Sequence, residues 1–255
     1  MAVAPFSGRH ALVTGGSRGI GRACAAALTK AGATVTVLGR DEEVLKEVVR
    51  AREADGYLVA DTSDSEKLTS LLVIAEAARG PTDILVANAG QSLSARFDKA
   101  DDETFRRMFE VNVMGTIHAV RAVSAGMTAR GFGRIVAIAS TAGLKGYPYV
   151  TAYCASKHAV VGFTRALALE FATTGVTVNA ICPGYTETPM LTETIRNITE
   201  KTALSPDEAR RELVRLNPQK RLIDPAEVAD AVVWLCGDDA RSVTGQAIAI
   251  AGGEV

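Results

Sequence analysis

Tyr153 and Lys157 are the two residues whose types and spacing most directly suggest chemistry. They stand at positions i and i+4 of the segment Tyr-Cys-Ala-Ser-Lys, so on a helix both side chains project from one face, one turn apart. A phenol with a pKa of about 10 is a poor proton-transfer group at neutral pH, and a nearby ammonium lowers that pKa by favouring the phenolate. The pair could exchange a proton with a substrate oxygen, although this spacing alone is common by chance.

Two further polar residues stand beside or within apolar segments. Ser140 follows the apolar run Ile135–Ala139, which places a hydroxyl just past the end of a predicted strand. Ligands of open parallel sheets bind outside the carboxyl ends of the strands. Asn112 interrupts an apolar helical stretch, and a buried Asn needs hydrogen-bond partners. For Asn112 the residues alone leave two interpretations open, a site residue and a structural polar bridge.

A glycine-rich segment, Thr14–Gly21, connects the first predicted strand to the first predicted helix. Glycine lets a pyrophosphate approach the main-chain amides, and a helix N-terminus attracts an anion. The spacing is G-x-x-x-G-x-G rather than the general G-x-G-x-x-G fingerprint, and a turn that needs glycine only for packing is the alternative. The segment predicts a nucleotide site formed by Gly15, Ser17, Arg18, Gly19, Ile20 and Gly21.

The end of the second predicted strand bears on which nucleotide binds. An acidic residue there would accept hydrogen bonds from the adenosine ribose and repel a 2′-phosphate. The strand ends instead in Gly39, followed by Arg40, and Arg18 stands in the glycine-rich turn. Two guanidiniums match a phosphate dianion well. The sequence predicts NADP(H) as the cofactor, with NAD(H) as the alternative because Asp41 follows directly.

The elements that must position these residues alternate along the chain, and this alternation predicts an α/β fold with a doubly wound parallel sheet. Strands with near-continuous apolarity suit a sheet covered on both faces. The predicted strands are His10–Thr14, Thr34–Leu38, Tyr57–Ala60, Ile84–Ala87, Ile135–Ala139, Thr177–Ile181 and Ala247–Ile250. The predicted helices are Ile20–Ala31, Glu42–Ala54, Ser65–Ala78, Phe105–Arg130, Ala152–Thr173 and Ala226–Cys236.

One stretch, between Pro183 and Pro225, contains no strand candidate, only helical segments around Leu191–Lys201 and Pro206–Leu216. An insertion of this length after a strand's carboxyl end favours a helical lid over the site, spanning residues 185–217. A surface helical hairpin without a role in binding is the alternative. No repeat or low-complexity linker divides the chain, so residues 1–255 are expected to form a single dinucleotide-binding catalytic domain.

Composition excludes several classes of function. The formal net charge of the 255 residues is −1, so no overall positive field gathers nucleic acid or anionic lipid. No apolar run reaches the length of a membrane span, and the N-terminus does not resemble a signal peptide, so a cytoplasmic protein is expected. The 4 cysteines are widely spaced, which favours buried thiols over a metal site or a disulfide framework. No metal is expected.

Taken together, the motifs resemble those of the short-chain dehydrogenase/reductase family, of the single-domain type, over essentially the full length. Their order and spacing match jointly, which makes the resemblance highly specific. The matching motifs are Thr14–Gly21, Asp61, Asn88–Gly90, Asn112, Ser140, Tyr153-x-x-x-Lys157 and Pro183-Gly184 with Thr188.

The resemblance implies a Rossmann-type sheet of seven strands and a catalytic tetrad of Asn112, Ser140, Tyr153 and Lys157. In such enzymes the tyrosine exchanges the proton, the serine steadies the substrate oxygen, and the lysine binds the nicotinamide ribose and lowers the tyrosine pKa. The asparagine holds a water that links the lysine to solvent. Asp61 would meet the adenine and Thr188 the carboxamide. The implied cofactor-binding residues also include Asn88, Ala89, Gly90, Tyr153, Lys157, Pro183 and Gly184.

These features predict an NADP(H)-dependent oxidoreductase that interconverts a ketone and a secondary alcohol. The segment Tyr153–Met190 resembles 3-oxoacyl thioester reductases, aromatic-polyketide ketoreductases and 3-hydroxyacyl-CoA dehydrogenases, so the expected substrate is a small-molecule 3-oxoacyl thioester or similar carbonyl. The alternatives are an NAD-dependent secondary-alcohol or 3-hydroxyacyl-CoA dehydrogenase and, more distantly, a nucleotide-sensing module without catalysis. Long helices that resemble the family's subunit-packing pair imply a homotetramer.

Overall fold

Seven parallel strands form the sheet at the centre of the computed structural model, which describes residues 4–255. The order across the sheet is β3-β2-β1-β4-β5-β6-β7, so the predicted seven-stranded, doubly wound Rossmann-type architecture is confirmed. The strands are β1 (His10–Thr14), β2 (Thr34–Gly39), β3 (Gly56–Val59), β4 (Thr82–Ala87), β5 (Gly133–Ile138), β6 (Val176–Pro183) and β7 (Ala247–Ile250).

Helices cover both faces of the sheet, which is why the central strands are apolar without alternation. Ala11 and Val13 of β1 face one core cluster, and Leu12 between them faces the other. Within residues 4–255 the α-helices are α1 (Gly19–Lys30), α2 (Glu42–Arg50), α3 (Ser65–Arg79), α4 (Asp102–Phe109), α5 (Gly115–Arg130), α6 (Thr151–Glu170), α7 (Pro189–Lys201), α8 (Pro206–Arg215) and α9 (Pro225–Cys236).

The strand order reverses between β1 and β4, because β2 and β3 lie on one side of β1 and β4 to β7 on the other. At such a reversal the connections leave the sheet in opposite directions and open a crevice at the carboxyl ends of the strands. The glycine-rich turn follows β1 and the Asn88–Gly90 segment follows β4, so both border this crevice.

The observed helices differ from the predicted bounds by one to four residues, and two of them differ most. The predicted helix Phe105–Arg130 begins earlier, where the Asp101 side chain accepts a hydrogen bond from the Thr104 amide, and a π-helical turn at Glu110–Met114 separates α4 from α5. The helix predicted to reach Ala54 ends at Arg50, shortly before Arg52 adopts a φ of 58° that a helix does not allow.

The predicted insertion contains α7 and α8, as expected, and one short pairing that the sequence did not indicate. Thr186 and Ile223 form an isolated parallel bridge at the base of the insertion. The bridge and the hydrogen bonds between Tyr185, Glu187 and Ile223 join the two ends of the segment. The two helices therefore extend from a closed base beside the carboxyl end of β6.

Candidate active site

The glycine-rich turn has the shape needed for close approach of a phosphate. Gly15 and Gly19 have φ of 63° and 54°, in the left-handed region that favours glycine. A Cβ on Gly21 would overlap the carbonyl oxygen of Gly15, so only glycine fits there. The amides at the start of α1 lie directly behind this turn, with Arg18 as the N-cap residue and Ile20 beside the cavity described below. The turn is a narrow concave backbone surface at a helix N-terminus, which is the geometry that binds anions.

The segment after β4 fastens this turn. The Thr14 hydroxyl accepts hydrogen bonds from the amides of Asn88 and Ala89, at 3.0 and 3.1 Å. The Asn88 side chain donates to the carbonyl oxygens of Thr14 and Gly15, at 3.0 and 3.1 Å. Asn88 is therefore a structural clamp that joins β1 and β4 at the strand-order reversal, and it holds the turn in one conformation.

Two arginines lie at the open end of the turn, each beside a carboxylate. Arg18 is 3.7 Å from Asp41 and Arg40 is 3.6 Å from Asp61, and all four side chains are more than a third exposed. Asp41 also caps α2 by accepting from the Val44 amide at 3.3 Å. Asp61 accepts from the amide and hydroxyl of Ser63, at 3.0 and 2.9 Å, and although burial opposes the change, these bonds and Arg40 hold the pKa of Asp61 below its usual range.

The first residues after β6 approach the turn from the opposite side. Thr188 lies against Gly19, because a Cβ on Gly19 would be 3.1 Å from the Thr188 methyl group. Pro183 ends β6, and Gly184 and Thr188 line the same cavity as Ile20. The structure therefore brings together the two glycine-containing segments that the sequence placed far apart.

Ser140, Tyr153 and Lys157 meet at the carboxyl end of β5. Ser140 follows β5, and its hydroxyl accepts from the Ala142 amide at 3.1 Å, while Tyr153 and Lys157 project from α6. Burial raises the pKa of Tyr153 to about 12, and the neighbouring Ser140 hydroxyl opposes this rise. We expected Lys157 to lower the pKa of Tyr153, and this expectation is wrong: burial is the largest effect and raises the pKa, so the phenol is protonated at neutral pH.

Lys157 is buried, with 5% of its surface exposed, and its ammonium donates to the Ile138 carbonyl at 2.8 Å. The ammonium lies 5.8 Å from the centre of the Tyr153 ring. Burial lowers the pKa of Lys157 to about 8, because the charged form loses its hydration. A cation kept in this position without a carboxylate partner costs stability, which is typical of functional rather than structural placement.

Asn112 lies in the π-helical turn and is 1% exposed. Its side chain accepts from the Gln91 amide at 2.9 Å and donates to the Gln91 carbonyl at 3.0 Å and the Ser156 hydroxyl at 3.0 Å. A Cβ on Gly90 would lie 3.0 Å from the Asn112 side-chain oxygen and 3.6 Å from the Lys157 ammonium nitrogen. Asn112 is therefore a structural polar bridge, and its side-chain oxygen also lies near the Lys157 ammonium. π-turns of this kind are frequent at functional sites.

The structure adds Ser156 and Glu254 to the site, which the sequence did not indicate, and it shows what Gln91, expected in the pocket wall, contacts. Ser156 is fully buried between Asn112 and the Tyr153 carbonyl, to which it donates at 2.8 Å. Gln91 connects Asn112 to the cavity. Glu254, near the C-terminus, accepts a hydrogen bond from Tyr147 at 2.6 Å. Only the position of Gln91 directly after Asn88–Gly90 provided a signal in the sequence. The places of Ser156 and Glu254 in the site depend on contacts with residues far away in the sequence, Asn112 and Tyr147.

A cavity of about 180 Å³ opens between the sheet edge and the insertion. Its walls contain the hydroxyls of Ser140 and Tyr153, and most of the lining surface is apolar. The lining residues include Asn88, Gln91, Ser92, Ser94, Ser140, Thr141, Tyr147, Val150, Tyr153, Lys157, Tyr185, Met190, Leu191 and Glu193. An apolar pocket with a few convergent polar groups is the usual form of a small-molecule site.

Within residues 4–255 no group of three or more His, Cys, Asp or Glu side chains is arranged to hold a metal ion. In the same part of the chain, no helix combines the length and apolar character needed to cross a bilayer. All four cysteines are buried free thiols.

Comparison with known proteins connects this site to a family. The profile of the short chain dehydrogenases matches residues 9–199. The chain is 41% identical over 250 residues to a putative ketoacyl reductase of Streptomyces coelicolor, covering 95% of each chain, and 36% identical over 245 residues to a D-beta-hydroxybutyrate dehydrogenase of Cupriavidus necator, covering 94% and 95%. The crystal structure of an actinorhodin polyketide ketoreductase variant with NADPH superposes with a TM-score of 0.93 at 38% identity, covering 100% of this chain and 99% of the other.

The profile match covers most of the chain, and the relatives match it over nearly their full lengths. The predicted family is confirmed, and the protein is an enzyme rather than a nucleotide-sensing module. The chain belongs to the short-chain dehydrogenase family and is an NAD(P)-dependent oxidoreductase that acts on CH–OH groups.

Proposed function

We propose that the protein is an NADP(H)-dependent reductase of ketones, with a 3-oxoacyl thioester or similar carbonyl as substrate. The observation that carries this proposal is that the neighbouring hydroxyls of Ser140 and Tyr153 both line one mainly apolar cavity, with the Lys157 ammonium 5.8 Å from the Tyr153 ring. Two hydroxyl donors at one point match a carbonyl oxygen that gains negative charge during reduction.

The cofactor, when bound, supplies the hydride, and the residues of this chain bind and orient the substrate and protonate its oxygen. Ser140 donates to the substrate oxygen and holds it beside Tyr153. The Tyr153 hydroxyl transfers its proton to that oxygen as negative charge develops there. The phenol carries the proton needed for reduction at neutral pH, and burial, which raises the pKa of Tyr153 to about 12, moves it further from ionisation. Lys157 stabilises the phenolate that this transfer leaves behind.

The surface formed by the glycine-rich turn and the segments after β4 and β6 fits a dinucleotide. The turn at Gly15–Gly21 offers amides and a helix N-terminus to the pyrophosphate, and Ser17 is buried beside it. Asn88, Ala89 and Gly90 would hold the cofactor along the sheet edge, and Asp61 and Arg40 would hold its adenine end. Lys157 would hold the nicotinamide ribose. Pro183, Gly184 and Thr188 would hold the carboxamide end.

The geometry around Gly39 favours NADP(H) over NAD(H). β2 ends in Gly39 rather than in an acidic residue, and the side chains of Arg18 and Arg40 are more than half exposed, so their guanidiniums are available to a phosphate dianion. The NAD alternative depended on Asp41, whose carboxylate instead caps α2 and faces Arg18.

The direct test is a fluorescence titration of the purified protein with NADPH and with NADH, each followed by addition of 3-oxoacyl-CoA thioesters and simple ketones. We expect NADPH to bind at least about tenfold more tightly, because two added phosphate contacts together contribute more than 1.4 kcal/mol. We also expect NADPH to be oxidised when ketone is added. Tighter binding of NADH, with turnover only of secondary alcohols, would overturn the proposal.

Replacing Gly39 with Asp should reverse the cofactor preference. Gly39 has no positive φ, and a Cβ there would meet only ordinary contacts, the nearest at 3.4 Å to Leu45, so the backbone accepts the substitution. The new carboxylate would bind the ribose hydroxyls of NADH and repel the 2′-phosphate of NADPH. We expect the ratio of Kd values to shift toward NADH by about 100-fold or more. Gly39→Asn is the matched uncharged control, and an equal shift in both variants would contradict the electrostatic reason.

Assembly as a homotetramer remains a prediction. It concerns the segments Phe105–Arg130 and Ala152–Thr173, where Phe109 on α4 is 39% exposed and Leu169 on α6 is 80% exposed, so each helix presents a large apolar side chain to its surroundings. These side chains support assembly through the outer surfaces of the two helices.

A further inference from the structure

Glu254 is a buried carboxylate that lies one side chain behind the substrate cavity. Its side chain is 2% exposed, and its Oε1 atom is 3.1 Å from the Lys145 ammonium and 2.6 Å from the Tyr147 hydroxyl. Lys145 also donates to the main-chain oxygen of Glu254 at 3.2 Å. None of these three residues takes part in the proton transfer proposed above.

The backbone near the C-terminus is shaped to bring this carboxylate inward. Gly252 and Gly253 have φ of 60° and 89°, and a Cβ on Gly252 would overlap the Asn217 side chain. The turn closes with a hydrogen bond from the Glu254 amide to the Ala251 carbonyl at 3.2 Å. The second oxygen, Oε2, reaches Gly184, where a Cβ would lie 3.3 Å away. Glu254 thus packs against a segment that also lines the cavity.

The contact with Glu254 determines what Tyr147 can offer to a substrate. A carboxylate only accepts hydrogen bonds, so the single hydroxyl hydrogen of Tyr147 is donated to Glu254, and Tyr147 accepts from Thr141 at 2.7 Å. Burial, together with the bond to Glu254, raises the pKa of Tyr147 well above its ordinary value. The ring stands edge-to-face against Tyr185 at 6.3 Å. Tyr147 is therefore a fixed wall with no free donor.

The charges around this wall disfavour an anionic substrate. Among the described residues that line the cavity, Lys157 is the only one with a cationic side chain, and its ammonium is directed to the Ile138 carbonyl. Lys145 is 37% exposed and screened by water, whereas Glu254 is 2% exposed, so the negative member of the pair acts more strongly inside the cavity. A carboxylate entering the cavity would lose its hydration, and among the described lining residues it would meet the Glu193 carboxylate and no cation other than Lys157.

We propose that Glu254 is a positioning residue that sets the substrate class. It accepts the hydroxyl hydrogen of Tyr147, so that Tyr147 forms a fixed wall of the cavity with no free donor. Its buried charge makes the cavity accept uncharged ketones and 3-oxo esters or thioesters and reject 3-oxo acids with a free carboxylate. This inference rests on the ketone reduction proposed above.

The test compares ethyl acetoacetate with acetoacetate, which differ in charge but not in the reacting ketone. The measured quantity is the ratio of their kcat/KM values with NADPH. We expect the wild-type ratio to favour the ester by about 100-fold. Glu254→Gln keeps an acceptor for Tyr147 but leaves Lys145 without its anion, so the ratio should fall by about tenfold. Lys145→Met leaves the carboxylate uncompensated and should raise the ratio several-fold.

If the kcat/KM ratio changes in opposite directions in these two variants, the charge of Glu254 is the cause. A wall that had only become looser would reduce activity on both substrates alike. Tyr147→Phe tests the wall separately: KM should rise for both substrates, with the ratio unchanged. Glu200→Gln removes an exposed carboxylate of α7 outside the cavity and serves as the matched control, with no change in the ratio.

Three results would overturn the inference: a wild-type preference for acetoacetate, a ratio unaffected by Glu254→Gln, or changes of the same sign in Glu254→Gln and Lys145→Met. If Glu254→Gln has no cooperative thermal unfolding transition, the Lys145→Met arm decides, because that variant retains Glu254. Failure of the wild-type enzyme to reduce ethyl acetoacetate or any other ketone overturns the proposed function itself, and that result is separate from an altered ratio.

Discussion

Replacing Tyr153 with Phe should lower kcat for ketone reduction by about 1,000-fold or more, while the Kd for NADPH changes less than about threefold. The substitution removes one oxygen and leaves the ring, so packing on α6 is retained. The lost oxygen is the proposed proton donor, and the phenol holds its proton at neutral pH, further from ionisation because burial raises its pKa to about 12. A group that acts only in the transition state lowers kcat without weakening cofactor binding.

The measurement is single-turnover oxidation of NADPH with a ketone, together with a fluorescence titration of NADPH on the same preparation. Tyr57→Phe is the matched control, because Tyr57 is on β3, at the opposite edge of the sheet order from β7, where it only donates to Glu42 at 3.2 Å. That variant should keep wild-type turnover. Retained turnover in Tyr153→Phe would sink the assigned role of Tyr153, and a large loss of NADPH affinity would point to cofactor binding instead.

Replacing Lys157 with Met should abolish most activity and, at neutral pH, stabilise the folded chain. We expect kcat/KM to fall by about 1,000-fold, because the variant lacks the cation that stabilises the Tyr153 phenolate and would hold the ribose. We expect the free energy of unfolding at pH 7 to rise by about 1–2 kcal/mol, the net of removing a buried charge and losing one hydrogen bond to Ile138. Activity and stability should therefore change in opposite directions.

The pH dependence of this stability difference follows from the lowered pKa of Lys157. Burial lowers it from 10.5 to about 8, so below pH 8 both the folded and the unfolded wild-type chain are protonated and the full cost of burying the charge is present. Between pH 8 and pH 10.5 the unfolded chain binds more protons than the folded chain, so the free energy of unfolding of the wild type increases with pH. Above pH 10.5 Lys157 is neutral in both states, and the cost of burying its charge is gone. The gap between Lys157→Met and wild type should therefore narrow from pH 7 to pH 10.

Urea unfolding followed by circular dichroism at both pH values measures this gap, and Tyr153 is present in both proteins, so its own titration largely cancels. Lys67→Met, at an exposed position of α3, is the control, with a change within about 0.5 kcal/mol at either pH. A marked decrease in the free energy of unfolding of Lys157→Met at pH 7 would contradict this prediction, because it would mean that Lys157 stabilises the folded chain overall.

The sequence determined the fold class and the identity of the reacting groups. Continuous apolar runs predicted strands covered on both faces, and the all-parallel sheet confirms them. The turn at Thr14–Gly21 and the pair at positions 153 and 157 are local patterns, so one turn or one helix suffices to place their atoms. Element bounds were less predictable: the helix predicted to be continuous contains a π-turn at Glu110–Met114, and local periodicity does not encode a register change of one residue.

Only the tertiary structure decided how these groups interact. Asn112 binds Gln91 and Ser156, which are far apart in sequence, and Glu254 reaches Lys145 and Tyr147 from near the C-terminus. The same reason explains the pKa of Tyr153, which the sequence alone suggested would be lowered by Lys157 and which burial raises instead. Hydration and the electrostatic field at a side chain depend on every group that the fold brings within a few ångströms, and a one-dimensional pattern carries the residue types but not those distances.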